Sequence, residues 1–484
     1  MKGDFTRDTF KPAKHFSRVL EQQGRVTLDA DTNEQSAILL HYLRTLARDL
    51  IGPYAAPVEN PGFALSPSEG GSDIHIGLGR YYVDGILVEN HYSDCLYTTQ
   101  PDYPLPADDG LAKILKDKSA DVYWLYLDVW ERHITYIEDD SIREKALNGP
   151  DTCTRAKVMW QVKALSVPEP EDTQDIDSIC AEPLKNLKAL SDANLAARVD
   201  PGHRSDDACT QSPDSKYRGA ENQLYRVEIH EGSATGTPTF KWSRNNASVA
   251  AAWLGTSGND LQVGSSRGFE AGAWVEISNE LLELHNLPGI LVKLAKVEGD
   301  TLTVDAASVP APDALAWSDQ LLVPKVRLWD HRENETVELQ NGAMRVKDGP
   351  VADPNWIDLE DGVQVAFAPG GEYRTGDYWL IPARVATGKI EWGTGDTVNA
   401  EFAPPMGIEH HYAPLGFAAW RGETLRLVSC GCEFEPLSSC FHLGSMAVGA
   451  HLLRTRIEQP VRVADRGGAA TRTPVKRTKT PRTK

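Results

Sequence analysis

The stretch DVYWLYLDVWERHITYI, residues 121–137, decides the fold class of this chain. It is rich in aromatic and β-branched residues, and parts of it alternate between apolar and polar residues, which is typical of a β-strand. The stretch RAKVMWQVKAL, residues 155–165, has the same character, and we expect it to pair nearby. A β-rich fold is therefore predicted from this point outward.

Further strand-like stretches lie on both sides of this pair. RYYVDGILVEN, residues 80–90, consists of two β-rich runs across Asp84-Gly85, a dipeptide that strongly indicates a two-residue hairpin turn. Residues 254–322 consist of short strands separated by Gly, Asn and Asp turns, which resembles a small β-barrel or sandwich. More strand-like runs follow as far as residue 430, and no repeat of about 20 to 50 residues is present.

One well-formed helix is predicted near the N-terminus, over residues 33–51. Asp31 or Thr32 can cap its first turn, and Gly52 is suited to end it. Four leucines follow the helical period: Leu39, Leu43, Leu46 and Leu50. Carboxylates just before the helix, such as that of Asp29, are favoured by the positive end of its dipole, and we prefer this explanation to a metal site.

At 484 residues the chain is too long for a single hydrophobic core. We predict a mainly β, multidomain scaffold of sandwich-like and barrel-like parts, with an N-terminal helix and an extended N-terminal arm. The predicted segments are residues 1–52 for the arm and helix, 53–253 for a β domain with an acidic insertion at about 166–215, 254–322 for a small barrel-like domain, 323–445 for a C-terminal β region, and 446–484 for a basic tail.

The charge of the chain is distributed unevenly. Residues 454–484 contain ten basic and two acidic residues, a surplus of eight, so residues 1–453 carry −19 − 8 = −27. A body this acidic is a poor partner for nucleic acid or an anionic membrane. No apolar run approaches the roughly 18 to 20 residues that span a bilayer, and the N-terminus lacks the apolar stretch of a secretory signal. We therefore expect no nucleic-acid partner, no membrane insertion, and synthesis in the cytoplasm.

The basic tail has two interpretations. Its Thr-, Pro- and Lys/Arg-rich composition cannot bury enough apolar surface to fold alone, which favours a disordered, solvated end. The alternative is docking onto an acidic partner surface through four basic residues near the C-terminus: Lys476, Arg477, Lys479 and Arg482.

The chain lacks the motifs of a nucleotide-binding site, a kinase, a hydrolase nucleophile elbow and a zinc protease. The stretch EIHE, residues 228–231, places a histidine between carboxylates, which is suited to acid–base catalysis. On a strand, however, Glu228 and His230 share one face, the pattern of a half-exposed strand. Adjacent His410 and His411 would point to opposite sides, which weakens a shared metal site. We expect no catalytic and no cofactor-binding residues.

Three cysteines and a histidine cluster in the stretch CGCEFEPLSSCFH: Cys430, Cys432, Cys440 and His442. Three thiols and an imidazole are the ligand set of a structural zinc site, and thiols stay reduced in the cytoplasm. The alternative is that these are small buried residues at the end of a β domain. Cys180 and Cys209 lie towards the two sides of the acidic insertion and are candidates for a disulfide.

Six tryptophans lie inside apolar strand patterns: Trp124, Trp130, Trp160, Trp242, Trp329 and Trp379. Packing in a core is the default expectation for them. A sugar-stacking platform would require several of these rings to be exposed on one face.

Several long stretches, ordered along the chain, resemble the family of the domain of unknown function 6519. They are MKGDFTRDTF, HFSRVLEQQGRVTLDADTNEQ, WLYLDVWER, ALNGPDTCTRAKVMWQVK, YRGAENQLYRVEIHEG, FKWSRNN and LEDGVQVAFAPGGEYRTGDYWLIPARVATGKIEW. Members of that family are similar to proteins encoded beside phage-tail-like contractile injection systems, and some are joined to β-helix or other surface modules. The resemblance implies a component or accessory of such a particle, including one released from the cell, and supplies no catalytic residues.

The resemblance also suggests a role for the arm before the helix. Its aromatic and basic residues suit contact with an acidic surface: Phe5, Arg7, Phe10, Phe16 and Arg18. Such an arm can lie across a neighbouring subunit or wrap back onto its own β domain. We expect the first arrangement for residues 1–12 and the second for the part adjoining the helix.

The resulting hypothesis is a non-enzymatic structural protein of a phage-tail-like contractile injection particle, at its baseplate, spike or cap. Its partners would be proteins of the tube, sheath, spike or baseplate type, in a homo-oligomer or a hetero-complex. Two alternatives stay open. One is an accessory that binds or cleaves a polysaccharide at a cell surface, and the other is a cargo protein carried in the particle.

Overall fold

β-Strands dominate the secondary structure, and the mainly β fold class is confirmed. The computed structural model describes residues 1–106, 108–118, 121–169, 176–202, 216–333, 338–393, 401–422 and 424–436. The α-helices in these ranges are α1 (Asp29–Ile51), α2 (Gly110–Asp117), α3 (Ile176–Ala181) and α4 (Glu280–Leu284). Short 3₁₀ helices lie at Pro12–Lys14, Glu69–Gly71, Tyr97–Thr99, Asp140–Ile142, Lys145–Leu147, Pro183–Asn186, Ser233–Thr235 and Ala306–Ser308.

The strands of the first half of the chain are β1 (Tyr54–Pro57), β2 (Leu65–Pro67), β3 (Ile74–Ile76), β4 (Gly79–Val83), β5 (Ile86–Asn90), β6 (Val122–Ile134), β7 (Arg155–Val167), β8 (Leu195–Val199), β9 (Gln223–Glu231) and β10 (Thr239–Ser243). Those of the second half are β11 (Ala250–Ser257), β12 (Asp260–Val263), β13 (Trp274–Ser278), β14 (Ile290–Glu298), β15 (Thr301–Val304), β16 (Lys325–Trp329), β17 (Leu339–Gln340), β18 (Ala343–Arg345), β19 (Ile357–Asp358), β20 (Val363–Phe367), β21 (Tyr378–Arg384), β22 (Lys389–Ile390), β23 (His410–Arg421), β24 (Thr424–Ser429) and β25 (Glu433–Phe434).

Two four-stranded sheets enclose the first hydrophobic core. One has the order β25-β1-β4-β5, and the other has the order β24-β23-β6-β7. Strands β6 and β7 pair antiparallel over 13 residues each, so the pairing predicted for them is confirmed. Their inner face contributes Leu125, Leu127 and Val162 to a core that also contains Tyr81 and Val83 of β4. Each fully buried side chain of this kind contributes about 1.5–3 kcal/mol.

The predicted hairpin turn joins β4 to β5. Val83 pairs with Ile86, and both turn residues have positive φ, 49° at Asp84 and 80° at Gly85. This combination is favoured in two-residue hairpins because its twist matches that of the strands. Gly85 has a second role, since a Cβ on it would lie 2.0 Å from the carbonyl oxygen of Arg44. The turn therefore lies directly against α1.

A second core lies between a six-stranded and a three-stranded sheet. The six-stranded sheet has the order β17-β18-β10-β9-β21-β22, and the three-stranded sheet has the order β19-β20-β8. Strands β9 and β10 supply Tyr225, Val227 and Trp242 to this core. The rings of Phe240 and Phe367 meet across it in a tilted arrangement, with centroids 4.9 Å apart.

Six strands close into a barrel in the order β11-β12-β15-β14-β13-β16. Alternate residues such as Val275, Ile277 and Val326 fill its interior, and the residues between them face outward. The sequence predicts a small barrel or sandwich in this part of the chain, and a barrel is what forms. Residues 1–434 make up one compact unit, so the segment boundaries predicted within it stay predictions.

Helix α1 confirms the predicted N-terminal helix, but it begins at Asp29 instead of residue 33. The residue before it, Leu28, has no polar side chain, so the predicted caps Asp31 and Thr32 are wrong. The carboxylates lie inside the first turn, where the helix dipole favours them. Gly52, with φ of 97°, ends the helix as expected. Among the described residues, no helix has both the length and the apolar character that crossing a membrane requires.

Candidate functional site

A layer of charged side chains fills the space between the six-stranded sheet and the barrel. Strand β9 sends alternate residues into the second core, and the residues between them face the barrel. Strands β13 and β16 place apolar residues inside the barrel and charged residues outside it. We define the charged junction as these charged residues and their neighbours: Lys2, Arg132, His133, Glu138, Arg226, Glu228, His230, Lys241, Glu276, Glu283, Lys325 and Arg327.

The EIHE motif lies in this junction, and the half-exposed strand predicted for it is wrong. Glu228 is 2% exposed and His230 is 3% exposed. Strand β9 is buried on both faces because the barrel and the N-terminal residues cover its polar face. Its charged groups are removed from water and therefore need partners within the protein.

Glu228 is the centre of the first ion cluster. Its carboxylate lies 2.6 Å from Arg226 Nε, 3.0 Å from Lys2 Nζ and 3.4 Å from Lys241 Nζ. Lys241 also lies 2.5 Å from the carboxylate of Glu276 on β13. The Lys241 side chain thus links the six-stranded sheet to the barrel.

A second ion cluster links the barrel to β6 and the loop that follows it. Lys325 Nζ lies 2.6 Å from Glu138 and 2.8 Å from Glu283 of α4. Arg132 of β6 lies 2.9 Å from Glu283 and also binds Glu280. Lys325 is 1% exposed, so this link lies within the protein. The barrel is therefore tied to both layered parts of the fold by buried charges.

Glu228, Glu276 and His230 of the junction have pKa values shifted away from neutral pH. Burial alone would raise the pKa of Glu228, but Lys2, Arg226 and Lys241 outweigh it and hold the pKa well below its usual range. Burial would also raise the pKa of Glu276, but nearby cations, mainly Lys241, lower it to about 2. Burial and the charge of Lys241 lower the pKa of His230 to about 3. A general base needs a pKa near the working pH, so this arrangement favours structural linkage over proton transfer.

A cavity of about 290 Å³ lies within the charged junction. Seven basic side chains line it, and six of these form ion pairs with carboxylates. Arg327 is the exception within the described part of the chain; it is 5% exposed and donates to the carbonyl oxygen of Ala247. His133 also lines the cavity, and its buried Nε2 has no hydrogen-bond partner among the described residues.

The start of the arm lies on the body of the same chain, so the expectation that residues 1–12 lie across a neighbour is wrong. The Met1 amine donates to Tyr378 Oη at 2.8 Å. The amide of Asn246 donates to the carbonyl oxygens of Met1 at 3.0 Å and Gly3 at 2.9 Å. The body presents buried polar groups that require partners, and the first residues of the arm supply them.

The five predicted arm residues divide into two groups. Three contact the chain's own body: Phe5 against His133, Arg7 against Glu391, and Phe10 against His41. Phe16 and Arg18 are exposed. The part of the arm next to the helix, which was expected to wrap back, is therefore the part that lies on the surface.

We call residues 13–28 the outer part of the arm. Together with α1 they expose ten large apolar side chains, with exposed fractions from 41% at Leu40 to 83% at Val26. We define the apolar surface as these residues: Phe16, Leu20, Val26, Leu28, Leu39, Leu40, Tyr42, Leu43, Leu46 and Leu50. Helix α1 contributes only Ala30 and Ile38 to the buried interior. Exposed apolar residues concentrated on one arm and helix are typical of a protein–protein interface.

Cys430 is joined to Cys180 by a disulfide, with their Cα atoms 5.7 Å apart. The suggested Cys180–Cys209 pair is therefore wrong, because the Cys180 sulfur is already bonded. In this state Cys430 has no free thiolate for zinc. Cys209, Cys440 and His442 lie outside the described residues, so the zinc site stays a prediction that requires the disulfide to be reduced. The described residues contain no other group of three or more side chains suited to a metal ion.

The remaining sequence candidates have structural roles or lie beyond the described ranges. The six tryptophans that were candidates for sugar stacking are all buried, with exposed fractions of 9% or less. His410 and His411 point to opposite sides, as expected, and contact Asp128 at 2.7 Å and Asp84 at 3.0 Å respectively. The predicted tail residues lie outside the described part of the chain: Lys476, Arg477, Lys479 and Arg482.

A sequence model of DUF6519, described as a family of unknown function, matches residues 1–179 and 170–482. The chain belongs to this family. The DUF6519 match includes both the charged junction and the apolar surface. No curated protein and no solved structure matches the chain.

Sequence reasoning missed most of the charged junction in this DUF6519 protein. Lys325 and Arg327 alternate with apolar residues on β16, which is the pattern of a strand with one solvated face. Their burial depends on parts of the fold that are distant in sequence, since Lys325 pairs with Glu138 and Glu283 and Arg327 lines the cavity. The available signal is that charges of both signs alternate along several strands, which permits them to pair when those strands face each other.

Proposed function

We propose that this DUF6519 protein is a non-catalytic structural component of a phage-tail-like contractile injection particle, at its baseplate, spike or cap. The family resemblance supports a place in such a particle. The buried ion clusters support a structural role, because they tie the sheets to the barrel and leave no carboxylate of the junction with a pKa near neutrality.

The apolar surface carries this proposal. In an isolated chain, the leucines at positions 39, 43, 46 and 50 of α1 are left in water along one stripe of the helix. A stripe of this kind is buried when a second protein surface covers it, and each side chain so covered contributes about 1.5–3 kcal/mol at most. The protein therefore assembles through this surface.

The occupant that we propose is a second copy of the chain, whose body is acidic overall. Residues 13–28, the part of the arm next to the helix, contain three basic residues and one acidic residue, a net charge of +2, whereas Lys2 and Arg7 already pair with carboxylates of the same chain. Residues 1–28 together carry +3. Residues 29–453 then carry −27 − 3 = −30. A basic arm and an acidic body attract each other between copies, and this complementarity favours the correct orientation during assembly.

A polysaccharide accessory is not favoured by any specific observation. The tryptophans that would form a stacking platform are buried in the cores and cannot contact a glycan. The cargo alternative likewise has no feature of the described residues in its support.

Native mass spectrometry of the full chain tests the assembly. We expect a defined oligomer for the wild type and a monomer for the double variant Leu43→Glu, Leu46→Glu. The matched control is Leu147→Glu, since Leu147 is 64% exposed and lies outside the apolar surface. A wild-type chain that stays monomeric, or a double variant that assembles like the control, contradicts assembly through α1.

Mass-spectrometric analysis of purified contractile particles from the source cell tests the place of assembly. The proposal expects the chain at a fixed ratio to tube or baseplate proteins. Its absence from intact particles would show that the oligomer belongs elsewhere.

A further inference from the structure

One basic group of the cavity in the charged junction makes no ion pair with a carboxylate among the described residues. Arg327 of β16 lines the cavity and is 5% exposed, and its hydrogen-bond acceptor among the described residues is the carbonyl oxygen of Ala247. A guanidinium stays charged at every pH at which the protein folds and offers five N–H donors. A buried charge without an opposite charge is costly, so this position favours an anion from outside.

A second group at the same cavity also lacks a partner. The Nε2 atom of His133 on β6 is buried and makes no hydrogen bond within the described residues. Burial, the N-terminal amine and the charge of Arg327 lower the pKa of His133 to about 3, so the imidazole is neutral. His133 and Arg327 both line the cavity. In the tautomer that carries its proton on Nε2, the ring has one hydrogen bond to donate.

The rest of the lining restricts the kind of anion. Seven Lys or Arg side chains and six Glu side chains line the cavity, which leaves one positive charge, so a monoanion balances the lining and a dianion exceeds it. The Met1 amine also lines the cavity, and burial and the charge of Arg226 lower its pKa well below its ordinary value. The lining also includes apolar residues that suit an organic group better than a bare ion: Ile86, Trp130, Leu284, Leu287, Met406 and Ile408. A cavity of about 290 Å³ has room for a small organic molecule.

We propose that the charged junction is a binding site for a small organic monocarboxylate. Its carboxylate accepts hydrogen bonds from the guanidinium of Arg327, as planar carboxylates do in bidentate pairs, and from Nε2–H of His133. Its apolar part occupies the remainder of the cavity. Because the cavity is bounded by β6, β9 and the barrel strands, a bound carboxylate stabilises the contact between these parts of the fold.

Calorimetric titration of the full chain with acetate, butyrate and benzoate tests this site, with sodium chloride and inorganic phosphate as the other anions at constant ionic strength. We expect butyrate or benzoate to bind more tightly than acetate, chloride or phosphate. The variant Arg327→Met keeps the aliphatic stem and removes the charge, and it should weaken binding by about 30-fold. The matched control Arg267→Met removes an exposed guanidinium and should leave binding unchanged.

The variant His133→Phe keeps the proposal testable if Arg327→Met does not fold. It removes a nitrogen that has no partner within the described residues, so the fold should tolerate it, while binding of the carboxylate weakens by about fivefold. The proposal is overturned if none of the three carboxylates binds, if phosphate or chloride binds better, or if both junction variants bind as the control does.

Discussion

Replacement of Glu228 by glutamine is the sharpest test of the charged junction. Its carboxylate is 2% exposed and holds three cations within 3.4 Å: Arg226, Lys2 and Lys241. Glutamine has nearly the same shape, but it leaves these cations without their shared negative charge, and Arg226 cannot lose its proton. Removal of one partner from a buried ion pair costs about 3–5 kcal/mol. We expect the free energy of unfolding to fall by about this amount in Glu228→Gln, measured by urea denaturation at pH 7.

The matched control is Glu391→Gln, which also removes a carboxylate held by two arginines, Arg7 and Arg384. The Glu391 side chain is 41% exposed, so solvent screens its ion pairs and the expected loss is about 0–1 kcal/mol. Glu228→Asp keeps the charge and should fall between the two. If Glu228→Gln loses no more stability than Glu391→Gln, the buried ion cluster does not hold the sheet and the barrel together, and our account of the junction is refuted.

Three further predictions concern other parts of the fold. Burial raises the pKa of Asp377 to about 6, so the fold favours its protonated form, and the stability that this form contributes below about pH 4 is lost as the pH rises through 6. Asp377→Asn should therefore gain about 1–3 kcal/mol of stability over the wild type between pH 4 and pH 7. Urea midpoints of wild type and variant that change equally between these two pH values would contradict this. The Cys180–Cys430 disulfide joins residues 250 positions apart, so the free energy of unfolding of Cys430→Ser should be about 2–5 kcal/mol below that of the oxidised wild type. Against the reduced wild type, the difference should be almost zero. Equal losses with and without reductant would exclude the bond. Gly85→Ala places a Cβ 2.0 Å from a carbonyl oxygen of α1 and should lower the unfolding temperature. The control Gly258→Ala, where φ is also positive but no atom lies within 4 Å of the added Cβ, should lower it clearly less. Similar shifts would show that α1 does not lie against the turn.

The apolar surface shows how a correct helix prediction can leave the function of that helix open. The spacing of Leu39, Leu43 and Leu46 predicts an amphipathic helix, and α1 forms. The same spacing is normally associated with burial in the chain's own core. In the isolated chain this stripe is exposed, and only the positions of the sheets around α1 reveal it. The period identifies the apolar face of a helix, whereas the partner of that face depends on tertiary packing.

The arm gives a second example. Its composition predicts contact with a charged surface. Only the fold shows where the start of the arm and the part next to the helix lie. Met1 contacts Tyr378, which is 377 positions away, and Arg7 contacts Glu391. The outer part, including Phe16, finds no comparable place on the body. Interactions between residues so distant in sequence leave no periodic pattern, so the position of residues 1–12 on the body of the same chain was not predicted.

The sequence by itself determined the elements whose stability is local. The alternation in β6 and β7, the turn at Asp84-Gly85 and the end of α1 at Gly52 each depend on the conformational preferences of a few adjacent residues. Tertiary structure alone decided which polar faces are buried, which cysteine binds Cys180, and where the charged cavity lies. The physical reason is that a charged side chain on a strand has the same local pattern whether it faces water or an opposite charge, and only the approach of a second sheet distinguishes the two.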